Sequence, residues 1–294
     1  MVNCFIDWQP QIEALSLGGV EVRWYALLWV TGLVGAYFIV KHLYKCQHIP
    51  QEKFEPLFIY CFVGVIAGAR LGHCLFYQPA YFLGSPKGFI EMFIPIHFSP
   101  DSWDWHFSGY AGLASHGGAL GILLALILYT RNMKMPFLTV MDNVCISVPF
   151  VSGCIRMGNL INSEIIGTPT TLPWGFIFHT HDALLNGELV PRHPAQLYEA
   201  IFYFIVFFIV WKLANHHNPH NPQNSQNSQN HYTIGSGWYF GFVIFIIFLF
   251  RFFIEFLKVE QVDFEKGMTL DMGQLLSIPF VLAGLILMIK SHRR

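Results

Sequence analysis

The sequence predicts an all-α polytopic membrane protein with about seven transmembrane helices, an external N-terminus, a cytoplasmic C-terminus and an external head built from long loops. Three observations lead there. Of the 294 residues 54% are hydrophobic and only 12% charged, a balance too apolar for a soluble domain of this length. Apolar runs of about 19–20 residues, long enough to cross a bilayer, recur along the chain. The positive residues between those runs are divided unevenly, and that division sets an orientation.

In chain order, the runs Tyr25–Tyr44, Phe54–Phe76 and Gly112–Tyr129 read as the first three spans. The fourth, Phe137–Ile155, is interrupted by Asp142, Asn143 and Pro149, which suggests a helix lining a polar interior. Gln196–Leu213 opens just after Pro194, a normal helix start, and Gly237–Leu257 and Gly273–Ile289 complete the set. An odd number of spans puts the termini on opposite sides. One set of connections holds nine positive residues: Lys41, Lys45, Lys53, Arg131, Lys134, Lys212, Lys290, Arg293 and Arg294. The other holds six (Arg23, Lys87, Arg156, Arg192, Lys258 and Lys266) over longer loops, so it is read as external. The external loops Gln78–Ala111 and Arg156–Ala195 are rich in Trp and Phe, as interfacial segments are.

Other features narrow the function classes. A net charge of -1 without a basic cluster gives no footprint for nucleic acid. The six cysteines form no C-x-x-C pair and lie mostly in apolar runs, so neither a disulfide framework nor a zinc site is expected. Residues 1–19 lack the pattern of a removable signal peptide. Asn215–Tyr232 is a polar, low-complexity tract whose four histidines are read as part of a disordered cytoplasmic linker rather than a metal site. No internal repeat is visible, which weakens a transporter reading.

Charges inside apolar runs carry the chemistry. Arg70 lies in the second span, and Arg251 and Glu255 lie four residues apart in the last but one. A charge near the bilayer centre costs roughly 2.5–3.5 kcal/mol, so it needs a protein interior and a partner. Arg251 and Glu255 are spaced to pair with each other on one helix face, which is the plainer reading; a site for an anionic, lipid-borne substrate is the sharper one. Gly153–Gly167 is the densest stretch. If its helix continues, Arg156, Asn159, Ser163 and Gly167 share a face, and Glu164 lies beside them. A capped helix end explains the Asn and Ser there, but not an Arg and a Glu in one window. Ser115-His116-Gly117-Gly118 opens the third span; a lone His is more often interfacial than catalytic, while the glycines permit close backbone approach. Arg192-His193-Pro194-Ala195-Gln196-Leu197-Tyr198-Glu199 loads the first turn of the fifth span with Gln and Glu, which dipole effects alone can favour.

Seven of these segments, in order, resemble the prolipoprotein diacylglyceryl transferases: RWYALLW at Arg23–Trp29, GARLGHCLFY at Gly68–Tyr77, SHGGALG at Ser115–Gly121, RMGNLINSEIIG at Arg156–Gly167, RHPAQLYEA at Arg192–Ala200, RFFIEFLK at Arg251–Lys258 and MGQLLSIPFVLAG at Met272–Gly284. The resemblance spans nearly the whole chain. It implies seven spans with an external N-terminus, a multi-pass place in the bacterial inner membrane, and no cofactor. It implies transfer of a diacylglyceryl group from phosphatidylglycerol to the lipobox cysteine thiol of a prolipoprotein signal peptide, with release of glycerol phosphate. His116 then becomes the candidate base for the thiol, and Arg156 and Arg251 the candidates that stabilise the departing phosphate. Glu255 would orient Arg251; Asn159, Glu164, Gly167 and Tyr25 match positions that shape the lipid site, and Arg70 is counted with them. Ile247 stands where some members carry a tyrosine, so no role for that hydroxyl carries over.

Rival classes fare worse. A transporter for an anionic solute would need a polar path to both faces, and the cytoplasmic half offers almost no buried polar residues. An intramembrane protease would need a Ser-His or paired-Asp constellation that the spans lack. A pure scaffold leaves Arg156, Arg251 and Glu164 without a reason.

Overall fold

The computed structural model describes residues 5–17, 20–99, 102–108, 112–216, 232–259 and 270–291. The linker expected over 215–232 lies almost wholly outside these residues, as do Lys266, Arg293 and Arg294. The helices are α1 (Trp24–Cys46), α2 (Gln51–Phe76), α3 (Pro79–Gly84), α4 (Pro86–Phe93), α5 (Ser115–Asn132), α6 (Phe137–Ile161), α7 (Ala195–His216), α8 (Trp238–Ile254) and α9 (Met272–Ser291). Among the described residues, α1, α2, α6, α7, α8 and α9 are long and apolar enough to cross a membrane. The chain is a polytopic, mostly helical protein. The 18-residue α5, the expected third span, is not among those six.

The loops are not purely irregular, which modifies the all-α expectation. β1 (Ile6–Trp8) pairs in parallel with β6 (Phe176–Phe178). β2 (Glu13–Leu17) and β3 (Val20–Arg23) form a hairpin that runs directly into α1. β4 (Ile96–Phe98) and β5 (Trp105–Phe107) form another, and β7 (Leu184–Leu185) and β8 (Glu188–Leu189) a third. Asn186 and Gly187 join β7 to β8 with φ of 53° and 86°, the left-handed pair that a two-residue hairpin turn requires. Strands of two to five residues are too short for alternating polarity to announce them.

The chain divides into two compact units, residues 1–48 with 141–294 and residues 49–140. In the first, the polar residues of the weak fourth span face the protein interior, where each has a structural partner. Asp142 is fully buried and accepts the backbone N–H groups of Gly235, Gly237 and Phe240 at 2.8–2.9 Å. A carboxylate on α6 thus satisfies the otherwise orphaned donors at the start of α8, a helix end that prefers negative charge. Asn143 and Gln47, just past the end of α1, exchange amide hydrogen bonds of 2.7 and 3.2 Å. Beyond the far end of α6, a small core of Leu160, Ile166, Phe176, Phe178 and Ala183 is flanked by Trp8, Met157, Leu197 and Val259. Trp8 also donates its indole N–H to Leu160 O at 2.9 Å, tying the N-terminal strand to the last turn of α6.

In the second unit α2 and α5 pack along a seam of small residues. Gly64, Gly68 and Gly72 recur every four residues on α2 and face Gly117, Gly121 and Ala125 on α5; a Cβ on Gly68 would lie 2.4 Å from Gly117 O. In lipid, where hydrophobic burial does not drive helices together, such close approach supplies the dispersion contacts that do. The connection after α2 folds into α3, α4 and the β4–β5 hairpin. Glu91 is buried there, accepting the Tyr81 hydroxyl at 2.6 Å and the Phe98 N–H at 2.7 Å. Burial by itself would raise its pKa, but bonds from Phe98, Tyr81 and His97 outweigh it and hold the carboxyl below its ordinary value. Burial and the neighbouring Glu91 push the Tyr81 hydroxyl up to about 12.

Gly68→Leu is expected to separate α2 from α5 and lower the thermal midpoint of the detergent-solubilised protein, whereas Gly84→Ala, with nothing within 4 Å of the new Cβ, leaves it unchanged. Equal midpoints for the two variants would show that the seam does not hold the unit together.

Candidate active site

Four acidic and basic side chains meet where α6 ends, α7 begins and α8 gives way to a 3₁₀ turn at Glu255–Leu257. Arg156, in the penultimate turn of α6, places Nε 3.1 Å from Glu199 Oε2 in the first turns of α7. Lys258 Nζ lies 3.2 Å from the other oxygen of Glu199 and 3.1 Å from Glu255 Oε2. The chain Arg156–Glu199–Lys258–Glu255 therefore alternates in sign. Glu199 is completely buried and the Lys258 side chain only 3% exposed, so each charge depends on its neighbours to offset desolvation. Gly273, in the first turn of α9, gives Glu255 its room: a Cβ there would meet the carboxyl carbon at 2.8 Å.

A polar relay extends from Arg156. Its Nη1 donates to Asn159 Oδ1 at 3.4 Å, Asn159 Nδ2 donates to Glu164 Oε2 at 2.9 Å, and Asn162 Nδ2 to Glu164 Oε1 at 3.0 Å. The expected continuous face through Ser163 and Gly167 does not form, because α6 stops at Ile161. Ser163 and Ile165 take φ of 55° and 57°, and the Glu164 N–H closes back on Asn159 O at 3.0 Å. Positive φ is strained for a β-branched residue, and Gln196, donating its amide to Glu164 O at 2.5 Å, helps hold this turn. Gly167 serves backbone approach. Its N–H donates to His193 O at 3.0 Å, and a Cβ would come within 2.4 Å of that oxygen and 2.8 Å of Leu257 O. Tyr25, in the first turn of α1, lays its ring against Gly158, where a Cβ would meet Cδ2 at 2.7 Å.

Arg251 and Glu255 do not pair as their spacing suggested; Glu255 turns to Lys258 instead. The backbone alignment itself is helical, the Glu255 N–H donating to Arg251 O, so it is the competing Lys258 ammonium that takes the carboxylate. Among the described residues Arg251 has no ion-pair or hydrogen-bond partner, though it stands near enough to the Tyr203 hydroxyl to act on it electrostatically, as Arg156 does. Arg70 and His116 belong to the second unit. The Arg70 guanidinium donates to Glu91 O at 2.7 Å and Met92 O at 3.4 Å and lies 4.9 Å from the centre of the Phe82 ring, so it ties α4 to α2. His116 is exposed in the first turn of α5.

Against this geometry, the family model for prolipoprotein diacylglyceryl transferase matches residues 12–290. The chain belongs to the prolipoprotein diacylglyceryl transferase family. It is 46% identical over 283 residues to the phosphatidylglycerol–prolipoprotein diacylglyceryl transferase of Bacteroides fragilis, covering 96% of this chain and 94% of the relative. The enzyme of that name from Porphyromonas gingivalis is 39% identical over 98% of this chain and 95% of its own, and the one from Tolumonas auensis 35% over 97% of each.

Sequence reasoning in terms of this family missed Glu199 and Lys258 as partners of the arginine. Glu199 sits inside an apolar span, the same signal that singled out Arg251, but its place in a helix's first turns offered a dipole explanation that the structure shows to be secondary. Lys258 was counted only as a loop charge. His193 was passed over as well. It accepts or donates at Nδ1 to the Tyr198 hydroxyl at 3.3 Å, that hydroxyl takes the Trp174 indole N–H at 2.9 Å, and burial holds the imidazole pKa below its ordinary value.

Glu199→Gln removes the carboxylate shared by two buried cations. The variant is expected to lose about 3–5 kcal/mol of stability, read as a lowered denaturation midpoint in detergent. An unchanged midpoint would mean that Arg156 and Lys258 are neutralised elsewhere.

Proposed function

We propose that the chain transfers a diacylglyceryl group from phosphatidylglycerol to the lipobox cysteine thiol of prolipoproteins. The observation that carries this reading is a buried guanidinium, Arg156, held at the end of apolar helices by Glu199 in a chain of this family. The thiol loses its proton to a base, the sulfur attacks the glycerol carbon bearing the phosphate, the carbon–oxygen bond breaks, and glycerol phosphate leaves with the electron pair. A thioether forms. On chemical grounds His116 is assigned the thiol proton, since a free thiol is only a few per cent ionised at neutral pH. Arg156 and Arg251 meet the growing phosphate charge: Glu199 fixes the guanidinium of Arg156 through Nε and leaves part of its planar fork uncommitted, while Arg251 has no acidic partner among the described residues. Asn159 and Glu164 keep the Arg156 side chain aligned, with Tyr25 beside them; Glu255 acts through Lys258, Gly167 supports the surrounding backbone, and Arg70 holds α4 to α2 within the second unit. Family membership sets the transport reading aside.

In the same reading the protein is one integral membrane domain of seven spans, α5 supplying the seventh, in the bacterial inner membrane. The nine-to-six division of positive residues supports an external N-terminus, external loops at 78–111 and 156–195 and a cytoplasmic C-terminus. Cysteines introduced at Glu188 and Gln223 test this. An impermeant thiol reagent added to intact cells should label the first alone, and the opposite pattern would reverse the orientation.

The chemical roles are read from thioether formation by purified protein given phosphatidylglycerol and a lipobox peptide. His116→Gln keeps a hydrogen-bonding group but cannot take the proton, so turnover should fall by roughly 10²–10⁴. Arg156→Lys keeps the charge but loses the fork and should fail severely while remaining folded. Near-normal turnover in either variant would remove that residue from the chemistry.

A further inference from the structure

The β4–β5 hairpin in the second unit presents two imidazoles side by side. His97 and His106 are direct partners in the antiparallel register, so their side chains leave the same face of the hairpin, and both are exposed. Their ring centroids are 5.6 Å apart. Two imidazoles bound through nitrogen to one tetrahedral ion, with metal–nitrogen bonds of about 2.0–2.1 Å, place their ring centres about 5 Å apart. The observed separation is close to that value.

The tautomer of one ring is fixed by a buried neighbour. His97 Nδ1 lies 3.2 Å from Glu91 Oε2, the oxygen that already accepts the Tyr81 hydroxyl at 2.6 Å, while Glu91 Oε1 accepts the Phe98 N–H. A carboxylate so used only accepts, so Nδ1 is the nitrogen that donates to it, and in the neutral ring Nε2 keeps the lone pair. A carboxylate behind the distal nitrogen is the arrangement that orients a metal-ligating histidine and raises its basicity. Glu91 is itself anchored, being 3% exposed and part of α4, whose carbonyls at Glu91 and Met92 are tied to α2 by Arg70.

We propose that His97 and His106 form a binding site for a divalent transition metal of the zinc, nickel or copper class, with Glu91 as the supporting carboxylate and water completing the coordination. Imidazole nitrogen selects these ions over calcium and magnesium. The site lies apart from Arg156 and its partners in sequence and needs nothing from them, so it is independent of the transferase reading. Among the described residues no group of three or more His, Cys, Asp or Glu is arranged to hold a metal, and the proposed site therefore rests on two protein ligands. Bound metal would cross-link β4 to β5 and, through Glu91, to α4.

Zinc titration of the full-length protein in detergent, followed by calorimetry, tests this in a background where His216, His217, His220 and His231 are changed to Gln. Copper(II) electron paramagnetic resonance on the same protein reports nitrogen ligation. The background protein should bind one ion with nitrogen ligands. His97→Gln and His106→Gln, both at exposed positions that leave the fold intact, should each weaken binding at least tenfold. Glu91→Gln should weaken it by about 10–100-fold. No zinc bound by the background protein, or unchanged affinity in either histidine variant, would overturn the proposal.

Discussion

Glu199 is the group on which the arrangement of this protein depends. It has no exposure, and its two oxygens meet cations from different parts of the chain, Arg156 from the end of α6 and Lys258 from beyond α8. Any one of these charges alone would be expensive at such depth. Placed in alternation they cancel locally, and Glu255 extends the pattern to the start of α9 by way of Gly273. The network therefore joins four helices at one end of the first unit while keeping a guanidinium permanently charged. At 3.1 Å the Arg156 contact is an ion pair whose N–H is not aligned on the oxygen, so Glu199 Oε2 receives no hydrogen bond among the described residues. Glu199 thus holds Arg156 by charge, and the directional contact is the bond from Nη1 to Asn159.

Not every charge in an apolar segment has that character. Arg70, Arg192 and Asp142 are as buried as the members of the network, yet each satisfies backbone groups. Arg70 donates to carbonyls at the end of α4, Arg192 to those of Ala183, Gly167 and Leu184, and Asp142 accepts the N–H groups that open α8. A backbone group left unpaired in a dry environment is costly, and each of these charges offsets its own desolvation by satisfying two or three of them, so all three have a structural role. The contrast with Arg156 and Arg251 lies in where the hydrogen bonds go.

The sequence was legible where a single element carries the signal. Six of the expected spans appear as long apolar helices with ends shifted by a few residues, because hydrophobic length is a local property. Arg156, Asn159 and Glu164 were grouped correctly since they are close in sequence and are linked by their own side chains. What was not legible is non-local. The pairing of Arg156 with Glu199 spans 43 residues and that of Glu199 with Lys258 spans 59, and nothing in periodicity selects those partners. The Arg251–Glu255 pair failed although its helical spacing holds, because Lys258, in the turn that follows, takes the Glu255 carboxylate. The short strands escaped notice because pairing partners such as Ile6 and Phe176 define them more than composition does.

The chain is made from one end, and the order in which the charges emerge matters. Arg156 enters first, and its carboxylate partner follows within the next helix, so the arginine is neutralised before the later helices exist. That early pair leaves one oxygen of Glu199 without a cation until residue 258 has been made. The intermediate is therefore a helix pair with an unfilled negative position, which α8 and its following turn complete. A chain that ends just before Lys258 therefore keeps every helix through α8 yet lacks the second cation of Glu199, and carries a buried carboxylate that is only half offset.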